Sequence, residues 1–318
     1  MASLTPTVFP IPDEVTEHAL TLLHPVDVAN FSQTCHLAHG LVYGASDQYL
    51  WRQLFLTHPF DDPRNALHPR HTSTGVSYNW RDALQRRVRT ELVASNIEHR
   101  LDEQQFALES IISVIVGAAP VRSGLEPKPS DSLKWVTRIL RNSRILDAVA
   151  DPSNNQLISR IRTYLALSLD GAEDNKMTTH LDALGTRSRC HAYYNRNYRH
   201  DNNYGPYLVG GQVDWVQTEA LVNVIQTKLM KMRDVWMDTR PPVGLEATRA
   251  YSVTGAANRT MADWACVEGT WRRIVCFMDY RYGHPAARSI SLEAHAEFLV
   301  YSDFFGEWHI FIHHLACH

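Results

Sequence analysis

The chain has 318 residues, 44% of them hydrophobic, which suffices for a buried core and excludes global disorder. Its 31 Lys and Arg stand against 34 Asp and Glu, and the resulting net charge of −3 argues against phosphate-driven nucleic-acid binding. No stretch approaches the roughly 18 apolar residues of a membrane span, and the opening MASLTPTVFPIPDE lacks the charged lead and apolar run of a signal peptide. An intracellular protein, cytoplasmic or nuclear and without a membrane partner, is therefore expected. Five cysteines (Cys35, Cys190, Cys266, Cys276 and Cys317), odd in number and without a CxxC pair, point to reduced thiols instead of a disulfide framework.

Residues 9–57 read as a compact helical unit. Pro12 suits a helix start, where its missing N–H costs nothing, and Asp13 and Glu14 suit the positive end of the helix dipole. Val15, Ala19, Leu22 and Leu23 form an apolar stripe. Pro25 opens a second short helix with Val28 and Phe31 inward. Cys35, Leu37 and Leu41 continue on a third, with Cys35 placed in the core, and Leu50, Trp51 and Leu54 close the unit. Helices this short bury too little surface to stand alone, so a partner or the downstream chain must hold them.

Residues 58–77 hold three Pro, three His and a Ser/Thr cluster, and read as a junction. The signal from 78 to 169 is helical. Trp80, Leu84, Val88, Leu92 and Ile97 recur on one helix, and Phe106, Ile111, Ile112 and Ile115 on the next. The Pro-rich stretch 118–131 breaks the pattern. Ser130 then reads as an N-cap before Leu133, Trp135, Val136, Ile139 and Leu140, and Leu157, Ile158, Ile161, Tyr164 and Leu165 mark a further helix.

After residue 170 the chain turns polar, then rich in Tyr, Asn and Gly over 189–211, as in a long ordered loop or a strand–turn–strand. Thr218 to Met232 returns to a helix with Ala220, Leu221, Val224, Ile225 and Leu229 on one face. Gly269–Tyr280 is β-branched and aromatic, with Ile274, Cys276 and Met278 on one face and Val275 and Phe277 on the other, as in a covered central strand. Glu297–His314 reads as two strands around Phe305-Gly306. The predicted class is α+β: a three-helix unit at 9–57, the junction, a helical region at 78–169, and a mixed α/β region at 170–318 with a small sheet.

Ile11-Pro12-Asp13-Glu14, then Leu20 and Leu23, Pro25-Val26-Asp27-Val28, Cys35 and Leu50-Trp51-Arg52 together resemble the F-box, over residues 9–56. Two departures stand out. His18 takes a place where an aliphatic residue is commoner, and His36-Leu37-Ala38-His39 replaces the usual basic-x-Trp. The resemblance implies that Ile11, Pro12, Leu20, Leu22, Leu23, Pro25, Val28, Phe31, Cys35, Leu50 and Trp51 bind a small Skp-family adaptor and, through it, a cullin–RING ubiquitin ligase. Further on, YNWRDALQRRVRTE, NYGPYL with a following VDW, and DWACVEGTWRRIVCFMDYR are similar to the long C-terminal region of F-box proteins abundant in filamentous and mushroom-forming fungi. The chain departs from those proteins beyond about Arg281, where they carry a longer polar tail, so the resemblance does not extend to the last strands.

Other constellations favour plain readings. His309, His313, His314, Cys317 and His318 crowd one stretch, but Ile310, Phe311 and Ile312 favour a strand that spaces His309 and His313 too widely for shared ligation, so no metal is expected. Arg81, Arg86, Arg87 and Arg89 lie on one helix with Asp82 four residues before Arg86 and Glu91 four after Arg87, the spacing of a solvated, salt-bridged face. Tyr193, Tyr194, Tyr198, Tyr204, Tyr207 and Trp215, interleaved with Arg196, Asn197 and Asn202, are the candidate substrate-binding residues, because such side chains bury area yet keep a polar handle; packing against the expected strands is the alternative.

There is no GxSxG, HExxH, GxGxxG or P-loop, and Cys190-His191 adjacency makes no dyad. No catalytic residue and no cofactor are expected. The expected function is that of a non-enzymatic adaptor, presenting a protein substrate to an SCF-type ligase by proximity. Its rivals are an interaction scaffold whose degenerate F-box does not serve the ligase, and an enzyme of unrecognised chemistry.

Overall fold

The computed structural model describes residues 11–45, 47–65, 78–119, 128–148, 151–166, 175–231 and 244–251, together with the backbone of 270–275 and 311–316. Its helices are α1 (Asp13–Leu20), α2 (Pro25–Ser32), α3 (His36–Tyr43), α4 (Tyr49–Thr57), α5 (Trp80–Ser95), α6 (Gln104–Val116), α7 (Asp131–Asn142), α8 (Asn155–Leu165), α9 (Asn175–Ala192), α10 (Trp215–Lys231) and α11 (Leu245–Tyr251).

This overturns the α+β expectation. The interpretable part is 71% helix, in eleven helices, and no small sheet is shown in it. The backbone of Thr270–Val275 pairs antiparallel with that of Phe311–Ala316; among the described residues this pair has no further strand beside it and makes no layer on which a region could be built. The remainder of the expected strands, Phe277 included, lies outside the described residues.

The chain divides into two compact units, the first Met1–Tyr164 with Gly244–Ala256 and the second Leu165–Val243 with Ala257–His318. In the first unit the N-terminal helices begin as their sequences dictate. Pro12 precedes α1, with Asp13 and Glu14 in the first turn. The His24 Nδ1 accepts the Val26 N–H at 3.3 Å to cap α2, and the Cys35 Sγ accepts the Ala38 N–H at 3.4 Å to cap α3. Val28, Val42, Leu50, Trp51, Leu54 and Phe55 are buried. The Trp51 indole N–H donates to the Val42 carbonyl at 3.0 Å, so the ring fills the core without leaving its polar atom unpaired.

α2 and α4 pack against α5, which joins the N-terminal helices to the middle ones in one core. Trp80, Leu84, Val93 and Ala94 are the buried apolar face of α5, and Leu133, Trp135, Val136, Ile139 and Leu140 that of α7. The Ser130 hydroxyl caps α7 as expected, accepting the Leu133 N–H at 3.0 Å.

In the second unit α9 and α10 pack on one another. Gly185 faces Thr227, and Ser188 lies opposite Asn223, whose side-chain amide is 3.4 Å from the serine hydroxyl. Partner numbers that fall on one helix as they rise on the other make the pair antiparallel. Among the described side chains of α9 the buried ones are Gly185, Ser188 and Ala192, all small. The expected helix at 218–232 is α10, while α9 arises where only polarity and loop were read.

Candidate functional site

The N-terminal helices expose what the sequence placed in a stripe. Of α1, the structure buries Thr16 and Leu20 and turns Val15, Ala19 and the following Leu22 and Leu23 to solvent. Leu22 is 76% exposed, Val15 53% and Leu23 44%. Ile11, Val26 and Leu37 are exposed as well. Ile11, Val15, Leu22, Leu23, Val26 and Leu37 thus bring several exposed apolar side chains into one short span of the chain.

The residues implied by the F-box resemblance divide into two sets. Ile11, Pro12, Leu22 and Leu23 are exposed and Phe31 is half-buried, whereas Leu20, Pro25, Val28, Leu50 and Trp51 are buried. Val28 has no exposed surface at all. The second set supports the face and cannot itself be touched by a partner. Cys35 is corrected: it is exposed and acts as a helix cap, not as a core residue.

Where α4, α5 and α7 meet lies a hub that the sequence reading missed. The Arg87 guanidinium carbon stands 4.2 Å from the Phe60 ring centroid, 4.6 Å from Phe55 and 5.8 Å from Trp135. Phe60 meets Trp135 edge-on at 5.7 Å, and Phe55 meets Trp80 at 5.5 Å. Burial pushes the guanidinium down to about 10, with Tyr78 and Asp61 opposing the shift, so it remains a cation at neutral pH. A desolvated cation over aromatic faces is worth about 2 kcal/mol. Glu91, the expected partner of Arg87, instead accepts the Trp135 indole N–H at 2.6 Å and the Arg138 guanidinium at 3.0 Å. The expected pair of Asp82 and Arg86 does form, at 3.1 Å.

Asp61 completes the hub. Its carboxylate accepts the Ser130 hydroxyl and the backbone N–H groups of Asp131 at 3.0 Å and Ser132 at 3.4 Å, at the positive end of the α7 dipole. Its own N–H donates to the Ser132 hydroxyl at 3.0 Å. From α11, Glu246 accepts the Ser130 N–H at 2.9 Å, and the buried Arg249 donates to the carbonyls of Ala119 at 2.7 Å and Lys128 at 2.8 Å. The N-terminal helices are thereby fixed to the middle helices through residues 60–61, inside the stretch read as a junction. Phe60-Asp61 between Pro59 and Pro63 was the available signal, since an aromatic among loop residues asks for somewhere to pack.

The Tyr-rich segment is an ordered connection from α9 to α10. The Tyr198 hydroxyl donates to the Ala192 carbonyl at 2.5 Å and the Asn197 amide to the His191 carbonyl at 2.8 Å, satisfying the end of α9. The Asn202 amide donates to the Asn197 carbonyl at 2.6 Å, and the Arg199 N–H to the Asn202 side-chain oxygen at 2.9 Å. A bridge pairs Tyr207 with Val213, and Asp214 accepts the Val216 N–H at 3.1 Å to open α10. Tyr194, Tyr204 and Tyr207 are exposed, while Tyr193, Tyr198 and Trp215 are half-buried. The six candidates thus serve two purposes: Tyr198 holds the segment, and Tyr194, Tyr204 and Tyr207 face outward.

Among the described residues no group of three or more His, Cys, Asp or Glu could hold a metal ion, and no helix is long and apolar enough to cross a membrane. Of the histidine cluster, His313 and His314 fall on the backbone ladder, and His309, Cys317 and His318 lie outside the described residues. Comparison with protein families, with curated proteins and with solved structures finds nothing that matches this chain.

Proposed function

We propose that the chain is a non-enzymatic adaptor: its N-terminal helices dock on a Skp-family protein of a cullin–RING ligase, and the Tyr-rich segment holds a protein substrate for ubiquitin transfer. The observation that carries the reading is the outward set of Ile11, Val15, Leu22, Leu23, Val26 and Leu37 on helices whose inner face is fully packed. An apolar face of this kind, placed where the F-box pattern puts it, gains free energy on leaving water, at about 25 cal/mol per Å² buried. Within the first unit, the Arg87–Asp61 hub ties the N-terminal helices to the middle helices, so the docking helices are held on a packed support. In this role the chain supplies no nucleophile and needs no cofactor.

Co-purification of the full chain with a recombinant Skp-family adaptor tests the reading. The exchange Leu22→Asp with Leu23→Asp places two charges on the exposed face, where the fold tolerates them and an apolar interface does not. Capture should be abolished with the thermal melt unchanged. A wild-type chain that captures no adaptor leaves the interaction-scaffold reading in its place.

A further inference from the structure

The chain is slightly acidic overall, yet residues 187–213 carry Arg187, Arg189, Arg196 and Arg199 against one carboxylate, Asp201. All four arginines are exposed. Asp201 is engaged by Arg199 at 3.2 Å, so it does not neutralise the other three. Arg189 donates to the Thr186 hydroxyl at 3.1 Å, a contact that spends one N–H and none of its charge. Interleaved with this charge are exposed rings and apolar tips: Tyr194, Tyr207, Tyr204 at 64% exposure and Val209 at 73%. The Arg196 guanidinium lies 6.0 Å from the Tyr194 ring centroid, and the His200 ring meets Tyr204 edge-on at 6.1 Å.

Exposure here is not looseness. The segment is tied to the end of α9 by Tyr198 and Asn197 and to itself by Asn202, so the backbone that carries its outward side chains is held in place before any partner arrives. Preorganisation lowers the ordering cost that usually consumes the binding energy of a loop. Arginine and tyrosine are also the residue types that dominate binding hot spots.

We propose that residues 187–213 form a docking surface for an acidic, extended segment of a protein partner, its carboxylates meeting Arg189, Arg196 and their neighbours and its apolar residues covering Tyr194, Tyr204 and Tyr207. Charge complementarity selects this occupant. Single-stranded nucleic acid also favours arginine beside aromatic rings, but a chain of net charge −3 repels a polyanion as a whole, whereas a short acidic segment meets only the local field. The proposal rests on the adaptor reading in that it names the class of segment the substrate would carry.

The test is fluorescence anisotropy of the full chain with three labelled probes: a peptide repeating Glu-Asp-Leu, the same peptide with Lys in place of both acids, and an oligothymidylate of equal length. Saturable binding of the acidic peptide is expected, weakening as salt rises, since exposed charges are screened. Arg189→Glu with Arg196→Glu should lower its affinity about tenfold or more, and Tyr204→Ser should lower it without changing the salt dependence. If the double reversal does not fold, Arg196→Gln decides in its place by a smaller loss in the same direction. The proposal is overturned if the basic peptide or the oligothymidylate binds as tightly as the acidic one, or if the arginine changes leave acidic-peptide binding unaltered. Adaptor capture with no peptide binding removes this surface alone, and peptide binding with no adaptor capture removes the ligase reading alone.

Discussion

The junction between α4 and α7 and the seam between α9 and α10 solve the same problem by opposite means. The first interlocks large rings, Phe55, Phe60, Trp80 and Trp135, around the Arg87 cation, and leaves Trp135 almost wholly enclosed. The second brings two helices together by removing side chains: Gly185 and Ser188 lie along the contact, opposed by Thr227 and Asn223. Bulk gives the first its stability and close backbone approach gives the second its geometry. Substitutions that remove volume should therefore harm one and substitutions that add volume should harm the other.

The largest effect is expected at Trp135→Ala. The ring is 2% exposed, meets Phe60 and Arg87, and its indole N–H is one of two donors to Glu91. Loss of a buried aromatic of this size costs about 3–5 kcal/mol, measurable by urea unfolding of the full chain. A loss below about 1 kcal/mol would mean that the hub closes over the vacancy, and the contrast with the α9–α10 seam would fail.

The same contrast explains what the sequence reveals. Helices whose buried faces are large and periodic were readable: Leu133, Trp135, Val136, Ile139 and Leu140 of α7 are all buried, and Ser130 caps them. The part of α9 from 182 to 192 gives no such signal, because its buried residues are Gly185, Ser188 and Ala192, which contribute almost nothing to a hydrophobic count. On α1 the stripe of Val15, Ala19, Leu22 and Leu23 was found, but periodicity gives a face and not its direction; the core took Thr16 and Leu20 instead. Arg87 shows the limit of i, i+4 charge logic, since tertiary packing claimed it for the aromatic rings and gave Glu91 to Trp135 and Arg138. The α+β class failed for a related reason. Period-two alternation over Gly269–Tyr280 describes a segment able to be a strand, whereas a sheet requires partners that local pattern does not supply. Of the candidate sites, the exposed face of the N-terminal helices and the outward tyrosines were legible as residue types; which of them point outward was not.

Gly185 sharpens the comparison at intermediate size. A Cβ added there would sit 3.5 Å from the Thr227 hydroxyl oxygen, which is ordinary contact. Gly185→Ala should therefore leave the seam intact and recover helix propensity, a gain of up to about 1 kcal/mol. Gly185→Leu must push α10 away or adopt a strained rotamer, at a cost of about 1–3 kcal/mol. Thermal melts of the two variants should move in opposite directions. Should both melt with the wild type, Gly185 lies on a seam too loose to set helix spacing.

The smallest effect separates two arginines on the same helix. Arg87 is half-buried among rings, while Arg89, two residues on, reaches Glu103 at 2.7 Å from a solvated position, with Arg100 joining at 3.1 Å. The hydrogen bond from Arg89, with the charges of both arginines, holds the Glu103 carboxyl below its ordinary range. A carboxyl depressed in the folded state binds fewer protons there than in the unfolded chain wherever the two differ, so its contribution to stability grows with pH. That contribution is fully present above the ordinary glutamate value of about 4.3 and disappears as the pH falls through the depressed folded value. Glu103→Gln should therefore melt slightly below the wild type at neutral pH and converge with it in acid, because protonation has already removed the wild-type advantage. Arg87 gives no such acid dependence: it stays protonated in both states throughout that range. An equal gap between Glu103→Gln and wild type at both pH values would show that the side chain acts by packing against α5 and not through its charge.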